Sequence, residues 1–255
     1  MRGYKKEGIY MIPNLMTTGN LFCGFYAIIS VFNADYLIAS VAILAATIFD
    51  SLDGKMARLV KATSKFGVEY DSLADLISFG LAPGLLIYSW ALNSHGRIGL
   101  LAVFLYTVCG ALRLARFNVQ TSNSDGRFFS GLPIPAAAAV IASIVLLDHH
   151  ILRIGKEIKP LLILVITYSL AALMVSTIKY RSFKYFKLKE RKPFNFLVSA
   201  VLLLIVFIAA PQIMFFLVAT SYALSGPLER PIVATVNLFR KNKVVRDLAG
   251  KESKT

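Results

Sequence analysis

The chain has 255 residues, of which 56% are hydrophobic and only 16% are charged, and its mean hydropathy is +0.65. Ordinary soluble domains carry roughly 25% charged residues, so this composition argues against a soluble enzyme or a disordered chain and indicates a polytopic membrane protein. The net charge of +14 lies mostly in short segments between apolar runs, which predicts contact with anionic membrane lipids and no nucleic-acid partner.

Eight apolar runs are predicted to form helices that cross the membrane, where each span needs about 20 apolar residues. In chain order they cover 14–32, 36–60, 71–92, 97–117, 133–147, 160–178, 194–210 and 212–226. No internal repeat or long linker divides the chain. The predicted fold is therefore an all-α integral membrane protein with about eight transmembrane helices, a single polytopic domain over residues 1–255.

The basic residues predict the orientation of these helices. If the N-terminus is cytoplasmic, 24 of the 28 basic residues lie on the cytoplasmic side. The four that then lie outside are Arg97, Arg153, Lys156 and Lys159. Because Lys and Arg concentrate in cytoplasmic loops, both termini are expected to be cytoplasmic, as an even number of helices requires.

Four aspartates lie close together in the sequence, on the second and third predicted helices: Asp50, Asp53, Asp71 and Asp75. The spacing places each pair on one helix face, and the short connection would bring the two pairs together. Converging carboxylates repel one another, and hard divalent cations with oxygen ligands neutralise them. Mg²⁺ held by carboxylates, with positions left for a substrate phosphate, is expected for phosphoryl-type transfer. The alternative is a set of salt bridges to Lys55, Arg58, Lys61 and Lys65.

Small residues occupy the same helix face as the first aspartate pair. Gly54 and Ala57 would let a flat ligand approach the helix closely, and Arg58 beside them is suited to a phosphate. Packing of a second helix against the two small residues is the competing interpretation.

Eight residues of this region, at matching spacing, resemble the signature of the CDP-alcohol phosphatidyltransferase family: Asp50, Asp53, Gly54, Ala57, Arg58, Gly67, Asp71 and Asp75. Segments 71–83, 111–118 and 131–136 are further similar to the bacterial and archaeal phosphatidylserine synthases of that family. Segment 13–17 resembles the first-helix segment that helps to hold the nucleotide and its phosphates.

The resemblance implies a reaction of a CDP-diacylglycerol-type lipid with L-serine, giving phosphatidylserine and CMP. It implies two divalent cations, Mg²⁺ or Mn²⁺, bound by the four aspartates, with Asp75 also the general base. Residues implied to contact the nucleotide or its phosphates are Asn14, Thr17, Gly54, Ala57 and Arg58.

The resemblance also implies an architecture. A six-helix catalytic core is expected over about 1–178, two added helices over about 194–226 and a basic cytoplasmic tail over 227–255. The protein is expected in the cell membrane, with its active site at the cytoplasmic face. A homodimer is expected, in which segment 80–84 would pack closely, although a local kink at Pro83 explains that segment as well.

Two arginines near the end of the fourth predicted helix are candidates for binding the acceptor. Arg113 and Arg116 are three residues apart, where arginines without anionic partners are costly, and Asn118 follows them. One arginine would hold the serine carboxylate and the other a donor phosphate. The competing interpretation is that both reach towards lipid headgroups.

Two other functions stay open at this stage. The same chemistry with glycerol 3-phosphate or inositol phosphate as acceptor would also use the two arginines. A cation transporter is a remote alternative, because it needs carboxylates near the middle of the bilayer, whereas these aspartates lie at predicted helix ends on one side.

Overall fold

The computed structural model describes residues 4–59, 64–120, 128–152, 158–181, 198, 201, 205 and 207–228. The described helices are α1 (Tyr4–Phe32), α2 (Tyr36–Leu59), α3 (Lys65–Asp75), α4 (Ala82–Ile87), α5 (Gly96–Gln120), α6 (Ile134–Leu147), α7 (Ile158–Val175) and α8 (211–228). Turns of π-helix cover Leu76–Leu81, Tyr88–Leu92 and Asp148–Leu152, and Asn93–His95 form a 3₁₀ turn. Two short strands, β1 (Phe128–Ser130) and β2 (Lys179–Arg181), pair antiparallel.

The described residues include five helical stretches that are long and apolar enough to cross a membrane. These stretches are Pro13–Phe32, Tyr36–Met56, Lys65–Val119, Ile134–Ile151 and Ile158–Val175. The protein is therefore a helical, multi-pass membrane protein, as its composition predicts. The chain reverses direction within the longest stretch, so that stretch forms two antiparallel helical rods. The described part of the chain therefore contains six rods: α1, α2, Lys65–Leu92, α5, α6 and α7.

The reversal lies at the 3₁₀ turn and Gly96, whose φ of +50° suits a residue without a side chain. Contacts across the two arms show that they run antiparallel. The Tyr106 hydroxyl donates a hydrogen bond to the Phe79 carbonyl at 3.0 Å, and a Cβ on Gly84 would lie 3.0 Å from Val103.

Proline explains part of the irregular helix in the first of these arms. Pro83 has no N–H and cannot donate to the carbonyl four residues earlier, which is that of Phe79. The Tyr106 hydroxyl bonds that carbonyl instead, and the π-helical turn Leu76–Leu81 precedes α4. Gly80 and Gly84 are buried against α5, so these two glycines serve packing within the chain, and the predicted homodimer stays a prediction.

The helices α1 and α2 form a second hairpin, which turns at 33–35. A Cβ on Gly19 would lie 2.9 Å from the Phe49 ring, so the two helices approach closely there. On another face of α2, Ala39, Ile43 and Ala46 are fully buried. Small buried residues permit close helix packing in a membrane, and α2 packs against α6.

The chain between α5 and α6 returns to the bundle at Gly131, whose φ is +81°. A Cβ at Gly131 would lie 2.1 Å from the Met174 carbonyl oxygen, so only glycine fits against the end of α7. The backbone N–H of Leu132 donates to the Leu173 carbonyl at 3.0 Å. The two strands β1 and β2 pair next to this contact, and they extend the connection between the end of α5 and the end of α7.

The predicted helices agree with the structure over the six rods, with shifted ends. The first predicted helix starts at Tyr4 and the third at Lys65, because the polar residues there continue the helix outside its apolar part. The predicted helix at 212–226 is found as α8, which is not among the five stretches long and apolar enough to span. Most of 194–210 lies outside the described residues, so the total of eight helices stays a prediction.

Candidate active site

The aspartates of the two predicted pairs converge where α2 ends and α3 begins. Carboxylate oxygens of Asp50, Asp53 and Asp71 all lie within 4.8 Å of one another. Asp75, one turn after Asp71, is close enough to interact electrostatically with all three. Asp53 and Asp75 are 5% and 7% exposed, whereas Asp50 and Asp71 are half-buried, so one side of the cluster stays accessible.

Helix α1 supplies neutral hydrogen-bond donors to this cluster. The Thr17 hydroxyl lies 3.1 Å from Asp53 Oδ2, and 3.1 Å from the Pro13 carbonyl. One turn further along, Asn20 Nδ2 donates to Asp75 Oδ1 at 2.9 Å. Thr17 therefore orients the carboxylate of Asp53, and Asn20 orients that of Asp75.

The start of α3 lies beside the first turns of α1. The Ser64 hydroxyl caps α3 by accepting a hydrogen bond from the Gly67 N–H at 2.9 Å. A Cβ on Gly67 would lie 3.3 Å from Asn14 Oδ1, so this glycine allows the two helices to meet at Asn14. The Thr18 hydroxyl and the Tyr70 hydroxyl are hydrogen-bonded at 3.0 Å.

Open space adjoins the first aspartate pair. A Cβ on Gly54 would meet no atom of the described residues within 4 Å, whereas tight packing of another described helix would place a neighbour there. The side chains of Ala57 and Arg58 lie outside the described residues, so their predicted contacts with a nucleotide stay predictions.

Arg113 is the cation that the described structure places against the aspartates. It is 8% exposed and close enough to Asp50 and Asp75 to interact with both carboxylates. Its Nε is buried without a hydrogen-bond partner among the described residues, and its guanidinium lies 5.9 Å from the centre of the Phe117 ring. A buried, partly unsatisfied guanidinium beside acids suits an anionic ligand.

Arg116 has a different environment from Arg113. Its guanidinium donates to three backbone carbonyls, those of Val175 at 3.2 Å, Ser130 at 2.9 Å and Ser176 at 3.1 Å. It thereby joins α5 to β1 and the end of α7. Asn118 exchanges hydrogen bonds with Ser72, at 2.9 and 3.3 Å, on the turn between the two α3 aspartates.

The helix α8 adds a wall near Arg113. A Cβ on Gly226 would lie 2.4 Å from the Tyr180 ring, and the Tyr180 hydroxyl donates to the Ala223 carbonyl at 2.9 Å. Burial raises the pKa of Tyr180 to about 12, so this donor keeps its proton at neutral pH. Tyr222 packs on Tyr180, with ring centres 5.7 Å apart, and lies within electrostatic range of Arg113.

The residues present fit divalent cations. The cluster offers only carboxylate oxygens, the ligands that Mg²⁺ and Mn²⁺ prefer, and Asp71 Oδ1 is buried without a partner among the described residues. Lys55 and Lys65 are exposed and form no ion pair with the aspartates in the described part of the chain. Two other proposed salt-bridge partners, Arg58 and Lys61, lie outside the described side chains.

Three residues that contribute to this region were not among the predicted site residues. Asn20 was visible as an amide in an apolar helix, one turn after Thr17, and its position was the available signal. Ser78 donates to the Asn20 carbonyl at 2.9 Å, a contact that depends on how α1 crosses the π-helical turn. Tyr222 reaches the site only through the docking of α8.

Comparison with known proteins gives one family and several relatives. A family model described as CDP-alcohol phosphatidyltransferase matches residues 10–225. A protein of Helicobacter pylori named CDP-diacylglycerol–serine O-phosphatidyltransferase is 38% identical over 237 residues, which cover 92% of this chain and 97% of that protein.

Two relatives from other lineages match a shorter part of the chain. A Bacillus subtilis protein of the same name is 38% identical over 173 residues, 68% of this chain and 91% of that protein. An archaetidylserine synthase of Methanothermobacter thermautotrophicus is 37% identical over 182 residues, 71% of this chain and 73% of that protein.

Proposed function

Because this chain belongs to the CDP-alcohol phosphatidyltransferase family, we propose that it transfers the phosphatidyl group of a CDP-diacylglycerol-type lipid to the hydroxyl of L-serine and releases CMP. Relatives that are 37–38% identical carry names for serine transfer. The observation that carries the proposal is the convergence of Asp50, Asp53 and Asp71, with Asp75 beside them, at one end of the bundle.

The four aspartates would hold two divalent cations, Mg²⁺ or Mn²⁺. Bound cations would polarise the diphosphate and offset the negative charge that develops on the departing CMP. The role of the protein is to present oxygen ligands in fixed positions, and the Thr17 and Asn20 hydrogen bonds orient two of the four carboxylates.

The nucleotide would lie over the open face of α2 at Gly54. Its contacts would come from Asn14 and Thr17 on α1 and from Ala57 and Arg58 on α2. A glycine with free space above it allows a flat base to approach the helix backbone, and the neighbouring positive charge of Arg58 suits a phosphate.

Asp75 is the proposed general base. As the serine hydroxyl oxygen bonds to the phosphorus of the phosphatidyl group, its proton passes to an Asp75 oxygen. The bond from that phosphorus to the CMP oxygen breaks, and CMP leaves with the bonding electrons. Burial of Asp75 keeps bulk water, the competing nucleophile, away from this position.

Arg113 is the proposed partner of the serine carboxylate. It lies beside Asp75 and Asp50, and its Nε is buried with its hydrogen-bonding capacity unused among the described residues. Arg116 instead supports the site by holding β1 and the end of α7 against α5. Asn118 supports it through Ser72.

This division between the arginines favours serine over phosphorylated acceptors. Glycerol 3-phosphate and inositol phosphate bring an additional phosphate dianion, which needs more than one cationic partner. Arg116 donates its hydrogen bonds to three backbone carbonyls. Of these two arginines on α5, Arg113 alone is then free for the acceptor, which suits the single carboxylate of serine.

The proposed location of the active site is the cytoplasmic face of the cell membrane. The donor lipid stays in the bilayer, while serine arrives from the aqueous side. Lys55 and Lys65 lie on either side of the connection between the two helices that hold the aspartates, and the concentration of basic residues in cytoplasmic loops supports this location. Both termini would then be cytoplasmic.

An acceptor panel tests the proposed function. Purified protein in detergent micelles is given CDP-diacylglycerol, Mg²⁺ or Mn²⁺ and one acceptor at a time, and the lipid product is identified by mass. We expect phosphatidylserine from L-serine and no more than traces from glycerol 3-phosphate or inositol phosphate. A main product from either phosphorylated acceptor would contradict the serine assignment.

A further inference from the structure

Asn20 is a polar residue buried in the middle of an apolar helix. Its side chain is fully buried, and its neighbours along α1 are mostly apolar. A buried amide that lacks hydrogen bonds is destabilising, by about 1–3 kcal/mol for each unsatisfied group. Its presence at this position therefore needs an explanation.

Asn20 makes one side-chain hydrogen bond among the described residues. Its Nδ2 donates to Asp75 Oδ1 at 2.9 Å, whereas its own Oδ1 is buried without a partner in the described structure. A carboxylate accepts hydrogen bonds, so the amide nitrogen must face it. The amide thus directs one N–H at Asp75 and leaves its oxygen without a partner among the described residues.

The backbone around Asn20 is held in place by the opposite arm. The Ser78 hydroxyl donates to the Asn20 carbonyl at 2.9 Å. On the next turn of α1, a Cβ on Gly24 would lie 2.6 Å from the Ser78 Cα, so the backbones touch. Asn20 therefore has a fixed position relative to the π-helical turn that follows Asp75.

We propose that Asn20 is a positioning residue for Asp75 in the transfer reaction. The hydrogen bond occupies Oδ1 and fixes the rotation of the carboxylate, so that Oδ2 is the oxygen presented to the reacting groups. This inference rests on the proposed function, in which Asp75 receives the proton of the acceptor hydroxyl. Misplacement of a catalytic group by about 1 Å can lower a rate about 100-fold.

Two replacements of Asn20 separate positioning from packing. Asn20→Leu fills a similar volume without a donor, so the Asp75 carboxylate loses its anchor. Asn20→Ala leaves a small polar space in which a water molecule can donate to Asp75 instead. Positioning therefore predicts that leucine is the more harmful replacement for turnover, whereas a packing role predicts that alanine is.

The experiment measures kcat and both KM values for phosphatidylserine formation at saturating Mn²⁺. We expect kcat to fall about 100-fold in Asn20→Leu and about tenfold in Asn20→Ala, with the KM for CDP-diacylglycerol within threefold of the parent. Ser30→Ala is the matched control, because Ser30 is buried on the same helix and bonds the Tyr26 carbonyl of its own helix. We expect it to keep kcat within twofold.

The outcomes distinguish this inference from the proposed function. If the parent and Ser30→Ala form phosphatidylserine but Asn20→Leu retains kcat within threefold, or if Asn20→Ala is the slower variant, the positioning role is wrong while the function stands. If the parent forms no phosphatidylserine from CDP-diacylglycerol and L-serine, the proposed function itself is wrong.

Discussion

Charge balance at the level of single residues explains why this end of the bundle needs a ligand. Three carboxylates lie within 4.8 Å of one another and Asp75 adjoins them, yet Arg113 is the cation that the described residues place beside them. Like charges at such distances repel strongly when they are partly removed from water. A buried charge without enough partners of opposite sign is also destabilising. Divalent cations together with the substrate phosphates would balance these charges.

Replacing Asp75 with Asn tests the base. Asp75→Asn keeps the shape of the side chain and an oxygen that accepts from Asn20, but it removes the basic group. We expect kcat to fall by about 100-fold to 10,000-fold, with the KM for CDP-diacylglycerol within a few-fold of the parent. Steady-state rates of CMP release measure both.

Asp35→Asn is the control for this substitution, because Asp35 is exposed in the turn between α1 and α2. It should keep the activity of the parent. Turnover in Asp75→Asn that stays within a few-fold of the parent would assign the base to another group.

The two arginines of α5 should respond differently to replacement by lysine. In Arg113→Lys a point charge replaces the fork that would bind a carboxylate through two hydrogen bonds, so we expect the KM for serine to rise about tenfold or more. In Arg116→Lys the lost hydrogen bonds to carbonyls should lower stability by roughly 1.5–3 kcal/mol, with the KM for serine unchanged.

Serine titrations and thermal unfolding in micelles measure the two effects. A serine KM in Arg113→Lys that changes by no more than about twofold would remove Arg113 from the acceptor site. A raised serine KM in Arg116→Lys without loss of stability would contradict the structural role of that residue.

The difference between these arginines shows where sequence reasoning ends at this scale. Spacing alone identified the four aspartates, because residues three or four apart share a helix face wherever the helix lies. Arg113 and Arg116 are the same residue type and lie three positions apart on the same helix, so the sequence offers nothing to distinguish their roles. What separates them is that carbonyls from β1 and the end of α7 surround only Arg116, and those partners are distant in the sequence.

At the level of elements, the contact between α1 and the π-helical turn places the site. Ser78 bonds the Asn20 carbonyl, and Gly24 lies against the Ser78 backbone. Turns of π-helix are frequent at functional sites, and this one directly follows Asp75. Pro83 predicts a kink from the sequence alone. The shape of the helix at that kink also depends on α5, because the Tyr106 hydroxyl donates a hydrogen bond to the Phe79 carbonyl.

A methyl group at Gly24 should separate α1 from this turn. In Gly24→Ala the new Cβ would lie 2.6 Å from Ser78 Cα, a backbone atom that cannot rotate away. We expect a loss of about 1–3 kcal/mol in stability and a fall in kcat of about tenfold, because Asn20 moves with α1. Thermal unfolding and CMP release measure these effects.

Gly54→Ala is not a suitable control for Gly24, since Gly54 borders the proposed nucleotide site. Gly96→Ala is also unsuitable because of its positive φ. Ser40→Ala on α2 is used instead, because Ser40 is buried and bonds its own helix at the Tyr36 carbonyl. A Gly24→Ala variant as stable and as active as Ser40→Ala would show that this contact does not place the site.

For the whole molecule, hydropathy predicted the helical rods because a bilayer requires each span to satisfy its own backbone. The same pattern cannot state how the rods pack. The ribbon of β1 and β2, only three residues per strand, carries no strong periodicity, and the docking of α8 depends on Tyr180 meeting Gly226. Both features lie near Arg113 or Arg116, so the proposed acceptor side of the site was the less predictable part.

The most direct test is the rate of serine-dependent CMP release by metal-stripped protein as Mg²⁺ or Mn²⁺ is added back. We expect no release in excess EDTA, full recovery of the parent on adding cation, and no recovery of Asp71→Asn at any concentration, because the cluster then lacks a required ligand. Full activity of the parent in excess EDTA, or of Asp71→Asn at ordinary cation concentrations, would contradict a reaction carried out at the aspartate cluster.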